Sequence, residues 1–502
     1  MPRRPRLAFE SHLRAARAGQ ILAEAGYTEE RVCALLDIRD LLALRSQDLP
    51  TLLRRTSGGS SLDTLVRLFV LGTEVERAAG IAAAAEMALD DWCAAGLLEE
   101  VPGGLRGRVE LHPYQGVVVA VDRRLRGGRM PRDFVMPIAG SSRKLANATI
   151  RSLVGRTLDL GTGSGIQACL AARHSGHVLG VDRNATALSF AEFNAHLNDL
   201  SNIRFAEGDF LRPPGDGRYD LILANPPFVL SPKARYTFRD SGHPGDELFR
   251  RILMETAARL AEGGFGQVIG NWLMLSGEDA AARLARWFEG TGCDVWVLAG
   301  KPVDPAEYAA NWIRQTEGDR PAAFARELEA WIAYFDSLGT EAIGHGVVTL
   351  RRSSGRPNWF RMDEEPVEAG KTGEAIRLGF ELRAFLDEAH DDETLLAVRF
   401  RVSPDLRVLR ELGPAPNGLE VLSSRIRLVK GLAYEGSVND DVLALLSECH
   451  GEKTLGQIVD GIARSSGRAP STIFPACVRI VRQLVEPGFL LPVRPDVPAR
   501  PQ

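Results

Sequence analysis

The chain has 502 residues, 45% of them apolar and 25% charged, with a net charge of −4 at pH 7. The length exceeds what one hydrophobic core usually covers and predicts two to four domains, while the short, charge-interrupted apolar runs and the absence of a secretory signal predict a cytoplasmic protein without a membrane span. The six cysteines form no Cys-x-x-Cys pair, so we expect neither structural zinc nor disulfides, and the net charge gives no general attraction to nucleic acid.

Residues 1–107 predict a helical N-terminal domain. The segment "SLDTLVRLFVLG" has apolar residues at helical spacing after a polar start. The later segment "GLLEEVPGGLRGRVELHPY" predicts a helix end, a glycine-rich turn and an alternating strand. Helices followed by a β-hairpin form the outline of a winged helix, so we expect a winged-helix-like domain here.

Residues 108–353 predict an α/β domain. From residue 156 to about 300, short Val/Ile/Leu runs alternate with helical segments, as in parallel strands joined by helices. The last strand follows a helical stretch, which we interpret as an insertion at about 301–340. The expected fold is a doubly wound, mostly parallel, seven-stranded, Rossmann-like sheet. Its predicted strands are residues 157–161, 177–182, 203–209, 219–225, 266–271, 293–300 and 343–352.

Residues 354–502 predict a second mainly helical, winged-helix-like domain. Its first segment, "RPNWFRMDEEP", is typical of a loop. Three amphipathic helices and a short closing strand follow near the end of the chain. Two flanking domains of this kind would allow a homodimer to form through them.

A glycine-rich turn follows the first predicted strand of the α/β domain. The segment "LDLGTGSG" places Gly161, Gly163 and Gly165 between a strand and a helix. Glycines permit positive φ and let a ligand approach the backbone amides. This pattern alone is a weak signal, because dinucleotide-binding domains and many ordinary turns share it.

Acidic residues follow the same strands and narrow the interpretation. Asp159 lies inside the first strand, Asp182 ends the second and Asp209 ends the third. A carboxylate at the end of the second strand can accept both hydroxyls of a ribose. Each aspartate could instead be a turn or helix-cap residue, but three of them at one crevice favour a ligand site.

These motifs resemble those of the class I S-adenosylmethionine-dependent methyltransferases. The resemblance implies that the glycines face the methionine part of the cofactor, that Asp182 binds the ribose, and that Asp209 and Phe210 contact the adenine. A nicotinamide enzyme fits less well because the spacing is Gly-x-Gly-x-Gly. The implied cofactor-binding residues are Asp159, Gly161, Gly163, Gly165, Asp182, Asp209, Phe210 and Asn225.

The fourth strand ends in Asn225-Pro226-Pro227-Phe228. This motif is similar to the Asn/Asp-Pro-Pro-Tyr/Phe motif of methyltransferases that modify planar nitrogens in release-factor glutamine, adenine or guanine. Hydrogen bonds to the Asn225 side-chain oxygen and the Pro226 carbonyl would hold such a nitrogen, and Phe228 would stack on the planar group. We therefore predict that these four residues, Pro227 included, are catalytic.

Four further residues are candidates for contact with the substrate. Tyr236 and Arg239 lie in a loop after the motif that could equally be solvated, Trp272 ends the fifth strand, and Tyr308 lies in the insertion. The predicted function is N-methylation of a planar nitrogen of a protein or peptide. The alternatives are methylation of an RNA or DNA base, and a non-catalytic scaffold that binds S-adenosylmethionine.

Overall fold

The computed structural model describes residues 7–123, 131, 133–215, 217–233, 235, 239–317, 321–366, 370–467 and 469–493. The chain folds into two compact units, one of Met1–Ala146 with Arg151–Glu364 and one of Asn147–Ile150 with Glu365–Gln502. Across these described ranges, no helix is both long enough and apolar enough to cross a bilayer.

The first unit begins with short helices and a hairpin. Capping favours these helices, since the Ser60 and Asp63 side chains form a capping box at the start of one of them. The buried side chains of Leu22, Phe69 and Trp92 form the centre of their core. The elements are α1 (His12–Glu24), α2 (Glu29–Leu36), α3 (Leu49–Arg55), α4 (Ser61–Val66), α5 (Arg77–Ala84), α6 (Leu89–Ala94), β1 (Leu98–Val101) and β2 (Gly104–Gly107).

A second hairpin, of β3 (Val109–Tyr114) and β4 (Val117–Asp122), connects these helices to the main sheet. Its two-residue turn places Gln115 and Gly116 at φ of 47° and 83°, as a type I′ turn requires. Residues 134–139, further along the chain, lie beside the crevice of the main sheet.

The main sheet of the first unit has eight strands. They are β5 (Val154–Leu160), β6 (Ser175–Asp182), β7 (Ile203–Glu207), β8 (Tyr219–Ala224), β9 (Leu260–Leu275), β10 (Cys293–Ala299), β11 (Thr340–Arg352) and β12 (Phe360–Glu364). The helices around them are α7 (Gly140–Ala148), α8 (Ile166–Ala171), α9 (Ala185–Leu197), α10 (Glu247–Arg259), α11 (Ala280–Trp287), α12 (Pro305–Glu317) and α13 (Pro321–Ser337).

The strand order is β12-β10-β11-β9-β8-β5-β6-β7. Only β11 runs antiparallel to its neighbours among the paired strands described, so the sheet is mostly parallel. The chain moves outward from β5 through β6 to β7 and then returns to place β8 on the other side of β5. The predicted α/β doubly wound fold is confirmed, and its switch point lies between β5 and β8.

The predicted number of seven strands is too low by the edge strand β12. It pairs parallel with β10 and lies within the segment that the sequence suggests is a loop, beyond the expected boundary at residue 353. In β12, Phe360 and Met362 pack towards the core and alternate with charged residues. One of these, Asp363, accepts a hydrogen bond from Trp296 Nε1 at 2.9 Å. Because of these charged residues the sequence resembles a loop. Apolar and charged residues nevertheless alternate with a period of two, which is ordinary for an edge strand.

The register of the sheet aligns the loops that carry the motifs. Leu160 at the end of β5 pairs with Ala224 of β8 on one side and with Val181 of β6 on the other. The next residue of each strand or loop is therefore Gly161, Asn225 or Asp182. Three motifs that are distant in sequence thus meet at one edge of the sheet.

The second unit contains two three-stranded sheets, of order β17-β13-β18 and β14-β15-β16. Helices around Phe400, Val459 and Val481 enclose its core. Its strands are β13 (Arg399–Val402), β14 (Leu406–Ala415), β15 (Gly418–Leu428), β16 (Glu435–Ser437), β17 (His450–Thr454) and β18 (Leu490–Pro492). Its helices are α14 (Gly373–Glu388), α15 (Asp392–Leu396), α16 (Asp440–Glu448), α17 (Leu455–Ser466) and α18 (Pro470–Val485).

Candidate functional site

A cavity of about 250 Å³ lies at the switch point of the main sheet. Open α/β sheets bind ligands at this position, beyond the carboxyl ends of the strands. Its lining includes Gly161, Gly163, Asp182, Phe210 and the whole of Asn225-Pro226-Pro227-Phe228. Residues from both predicted motifs therefore share one cavity.

The glycine loop has the backbone conformation that its sequence predicts. Gly161 and Gly163 line the cavity with φ of 72° and 54°. A Cβ atom on Gly161 would lie 2.4 Å from Phe210 Cε1, so the phenyl ring packs directly on bare backbone. Gly165, at φ of 81°, is not among the described lining residues, and it lets α8 pack against Ala191 of α9.

Asp159 supports the glycine loop through hydrogen bonds to its carboxylate. Its carboxylate is buried, accepts hydrogen bonds from Thr162 Oγ1 at 2.6 Å and Ala168 N at 3.1 Å, and is not among the described lining residues. Burial raises the pKa of Asp159 to about 7, against the opposing effect of these two hydrogen bonds. Its position fits a residue that shapes the loop and does not touch a ligand.

Asp182 does line the cavity. Its Oδ2 accepts a hydrogen bond from Gly163 N and its Oδ1 accepts one from Asn184 N, both at 2.9 Å. Burial raises the pKa of Asp182, while these backbone donors lower it. Each carboxylate oxygen keeps capacity for a further donor, so the group can accept hydroxyls from a ligand.

The third acidic motif consists of Asp209 and Phe210, and these two residues have different positions. Asp209 is exposed, and its Oδ1 accepts a hydrogen bond from Leu211 N at 2.9 Å, which makes it a turn residue. The described lining of the cavity includes Phe210 and not Asp209. The geometry thus gives Asp209 the alternative role of a turn residue that the sequence left open.

Two serines at the start of α7 orient Asn225. Its Nδ2 donates to Ser142 Oγ at 3.1 Å and to Ser141 Oγ at 3.4 Å. Gln167 Nε2 in turn donates to the Ser142 carbonyl at 2.8 Å. With the amide nitrogen engaged, Asn225 Oδ1 remains as the acceptor for a ligand in the cavity.

The four candidate substrate residues have different positions. Tyr236 lies outside the described residues. Arg239 lines the cavity, although its side chain is only 7% exposed, and its Nε donates to Asp240 Oδ1 at 2.7 Å. Trp272 is fully buried and stacks on Phe249 at 6.3 Å between ring centroids. Tyr308 is buried in the insertion.

Neither Trp272 nor Tyr308 is among the described residues that line the cavity, so direct contact of either with a ligand there is not supported. Trp272 lies on the face of β9 that packs against α10, because side chains alternate between the two faces of a strand. Tyr308 packs among the aromatic rings of the insertion, including Trp331 and Phe335.

Sequence reasoning missed part of the lining. Ser141, Ser142, Asn184 and Trp312 line the cavity, together with the 134–139 segment that follows β4. The polar stretch "AGSSR" precedes the first strand of the main sheet and belongs to none of the motifs. Its contact with Asn225 depends on tertiary structure and leaves no local signal.

A larger depression adjoins the cavity. It measures about 1550 Å³ and lies between the N-terminal helices, the β3–β4 hairpin and α9. Pro137, Ile138 and Ala139 line both spaces. Its described lining mixes basic residues such as Arg45 and Arg108 with acidic ones, so no single charge dominates it.

The fold and the cavity are those expected of a class I S-adenosylmethionine-dependent methyltransferase domain. In agreement, residues 139–275 match the model of the methyltransferase small domain. Two models described only as domains of unknown function match residues 24–108 and 379–492.

Two curated relatives are similar to the central part of the chain. The ribosomal protein uL3 glutamine methyltransferase of Bradyrhizobium diazoefficiens is 39% identical over 124 residues, covering 22% of this chain and 39% of that protein. The release factor glutamine methyltransferase of Geobacter sulfurreducens is 34% identical over 152 residues, covering 27% of this chain and 51% of that protein. The chain thus spans about half the length, or less, of these two relatives.

Among solved structures, an S-adenosylmethionine-dependent methyltransferase from Thiobacillus denitrificans in complex with S-adenosyl-L-homocysteine is similar to this chain. The identity is 21%, the match covers 44% of this chain and 99% of that one, and the TM-score is 0.27.

Proposed function

We propose that this protein transfers the methyl group of S-adenosylmethionine to the side-chain amide nitrogen of a glutamine in a protein substrate. The observation that carries the proposal is that Asn225-Pro226-Pro227-Phe228 lines the same cavity as the glycine loop and Asp182. One side of the cavity thus suits a cofactor and the other suits a planar nitrogen.

The cofactor side fits S-adenosylmethionine. Gly161 and Gly163 leave a strip of backbone without side chains, Asp182 offers carboxylate oxygens for the ribose, and Phe210 offers a ring for the adenine. S-adenosylmethionine, when bound, supplies a methyl group on a positively charged sulfur. Asp159 and Gly165 act indirectly here, by holding the loop and the helix behind it.

An amide nitrogen is a poor nucleophile, and the motif residues compensate for this by positioning it. Asn225 Oδ1 and the Pro226 carbonyl accept the two N–H groups of the acceptor amide and align its nitrogen with the methyl group. The nitrogen forms a bond to the methyl carbon as the carbon–sulfur bond breaks, and it then releases one proton to solvent. Phe228 packs on one face of the amide plane and shields that face from water.

One observation favours glutamine as the acceptor. The matched relatives are named as glutamine methyltransferases that act on a release factor and a ribosomal protein.

We extend the proposal to the remainder of the chain as predictions. The flanking regions act as winged-helix-like domains, two copies associate through them, and the protein works in the cytoplasm beside translation components. Sedimentation of the full chain measures its association, and a monomer at all concentrations would rule out the dimer.

The central test measures methyl transfer from labelled S-adenosylmethionine to the macromolecules of a cell lysate. The labelled lysate is then divided, and one part is treated with protease and the other with nuclease. Label released by protease supports the proposal, and label released only by nuclease overturns it in favour of a nucleic acid substrate. Asp182→Ala should abolish cofactor binding, measured by calorimetry. Asn225→Ala should retain cofactor binding but lose roughly 10²–10³ in kcat, the usual cost of removing one preorganised polar group.

A further inference from the structure

The insertion between β10 and β11 contributes an aromatic wall to the cavity. Trp312 of α12 lines the cavity beside Phe228 of the motif and contacts it edge to face, with ring centroids 6.4 Å apart and an interplanar angle of 72°. Edge-to-face geometry of this kind is favourable for aromatic pairs. The two rings therefore bound the part of the cavity where the acceptor would lie.

The hydroxyl of Tyr308 ties this wall to the motif. Tyr308 Oη accepts hydrogen bonds from Leu230 N at 3.2 Å and from Asn271 Nδ2 at 2.6 Å. Its ring also meets the Trp312 ring, one turn further along α12, edge to face with centroids 6.2 Å apart. Leu230 follows the motif closely, so this one buried side chain connects the motif loop, β9 and the indole of the wall. Burial raises the pKa of Tyr308 and keeps the phenol neutral.

Arg239 adds a buried donor to the same part of the cavity. The loop that carries it pairs with Val229, since Val229 N donates to Arg239 O at 3.0 Å and Ser241 N donates to Val229 O at 3.3 Å. Its guanidinium also lies 3.5 Å from the Trp312 carbonyl, measured from Nη1. The ion pair with the fully buried Asp240 balances its charge.

We propose that Phe228, Trp312 and Arg239 form an acceptor subsite for a glutamine side chain carried by an extended peptide, and that Tyr308 is the positioning residue of this subsite. This inference rests on the proposed function and extends it to residues of the insertion. The methylene stem and the amide pack against the wall that Phe228 and Trp312 form, and Arg239 donates to a main-chain carbonyl of the peptide.

The charge balance of the subsite selects a neutral acceptor. The Asp240 carboxylate already neutralises Arg239, so a carboxylate in the substrate gains little from the guanidinium and loses hydration against two aromatic rings. The subsite therefore distinguishes glutamine from glutamate, which have nearly the same shape.

The test uses the full chain, labelled S-adenosylmethionine and an acetylated, amidated pentapeptide with a central glutamine between alanines. The same peptide with glutamate and an adenine-rich oligonucleotide serve as comparison substrates. We expect transfer to the glutamine peptide alone. Trp312→Ala should raise KM for this peptide about tenfold and leave cofactor affinity unchanged, and Trp312→Phe should restore most of the loss.

Tyr308→Phe tests the positioning role. It retains the ring but removes the oxygen that holds Leu230 and Asn271, so we expect kcat to fall with little change in cofactor affinity. The matched control is Trp287→Ala, which removes a half-buried tryptophan of α11 that is not among the described lining residues.

The outcomes separate the two proposals. A parent enzyme that methylates the glutamine peptide while Trp312→Ala has an unchanged KM overturns the subsite and leaves the proposed function standing. Equal transfer to the glutamate peptide also overturns the subsite. Transfer to the oligonucleotide alone overturns both, and loss of cofactor binding in Trp312→Ala would show a general structural role for the insertion and contradict the inference.

Discussion

Asn225 carries the chemistry of the proposed reaction, but its orientation depends on two other residues. An amide can present either its oxygen or its nitrogen to a ligand, and only the oxygen can accept the N–H groups of an acceptor. Ser141 and Ser142 take up the nitrogen. A hydrogen bond of this kind contributes about 0.5–1.5 kcal/mol, enough to favour one orientation over the other.

Removing both hydroxyls should therefore lower activity without affecting the cofactor. For the double variant Ser141→Ala with Ser142→Ala, we expect kcat to fall about tenfold because Asn225 then rotates between two orientations. Calorimetry with S-adenosylmethionine should give an unchanged affinity. Ser142→Thr keeps a hydroxyl and is the conservative control. An unchanged kcat in the double variant would contradict the orienting role.

The buried carboxyl of Asp159 should make folding stability depend on pH. Its pKa is raised from 3.8 to about 7 in the folded chain, so the unfolded chain loses this proton at lower pH than the folded chain does. The stability it contributes is present below pH 3.8 and is lost as the pH rises to about 7. Asp159→Asn cannot titrate, so urea unfolding of this variant should show a weaker loss across that window. Parallel pH profiles for the two proteins would refute this assignment.

At the scale of elements, the two glycines that line the cavity differ in what an added side chain would cost. At one of them the cost is backbone strain alone, and at the other it is strain together with a steric clash. A side chain at a positive φ costs roughly 1–2 kcal/mol, and this cost applies to both Gly161 and Gly163. Only at Gly161 would the new Cβ meet a ring, because the nearest atom to a Cβ on Gly163 is Gly161 O at 4.0 Å.

We therefore expect Gly161→Ala to weaken binding of S-adenosylmethionine more than Gly163→Ala does. The added methyl group displaces Phe210, which itself lines the cavity. Calorimetry on both variants measures the difference. Combining Gly161→Ala with Phe210→Leu should recover part of the lost affinity, whereas additive losses would show that strain alone is responsible.

The edge strand β12 should contribute to stability even though its sequence is typical of a loop. Phe360 stacks on Phe288 with ring centroids 6.2 Å apart and packs against the core of the main sheet. Phe360→Ala should lower the free energy of unfolding by about 2 kcal/mol, less than for a fully buried ring because Phe360 is only partly buried. Leu153→Ala, at a residue that is 85% exposed, is the control and should change little.

At the scale of the whole molecule, sequence predicted what depends on local order along the chain. Each motif is a short run of consecutive residues at the end of a strand, and the register of the sheet brings the separate motifs together. Which side of an element faces the cavity was harder to predict. Tyr308 and Trp312 lie one turn apart on α12, yet only Trp312 is among the described lining residues. That choice depends on how the insertion packs.

The hydrogen bond from Asn225 to Ser142 joins two residues that lie 83 positions apart in the chain. This distance matters for protein engineering. A designer who transplants Asn225-Pro226-Pro227-Phe228 onto another sheet would move the Asn225 amide without the serines that orient it. Such a graft would need the first turn of α7 as well, so the smallest portable unit of the proposed catalytic site is discontinuous in sequence.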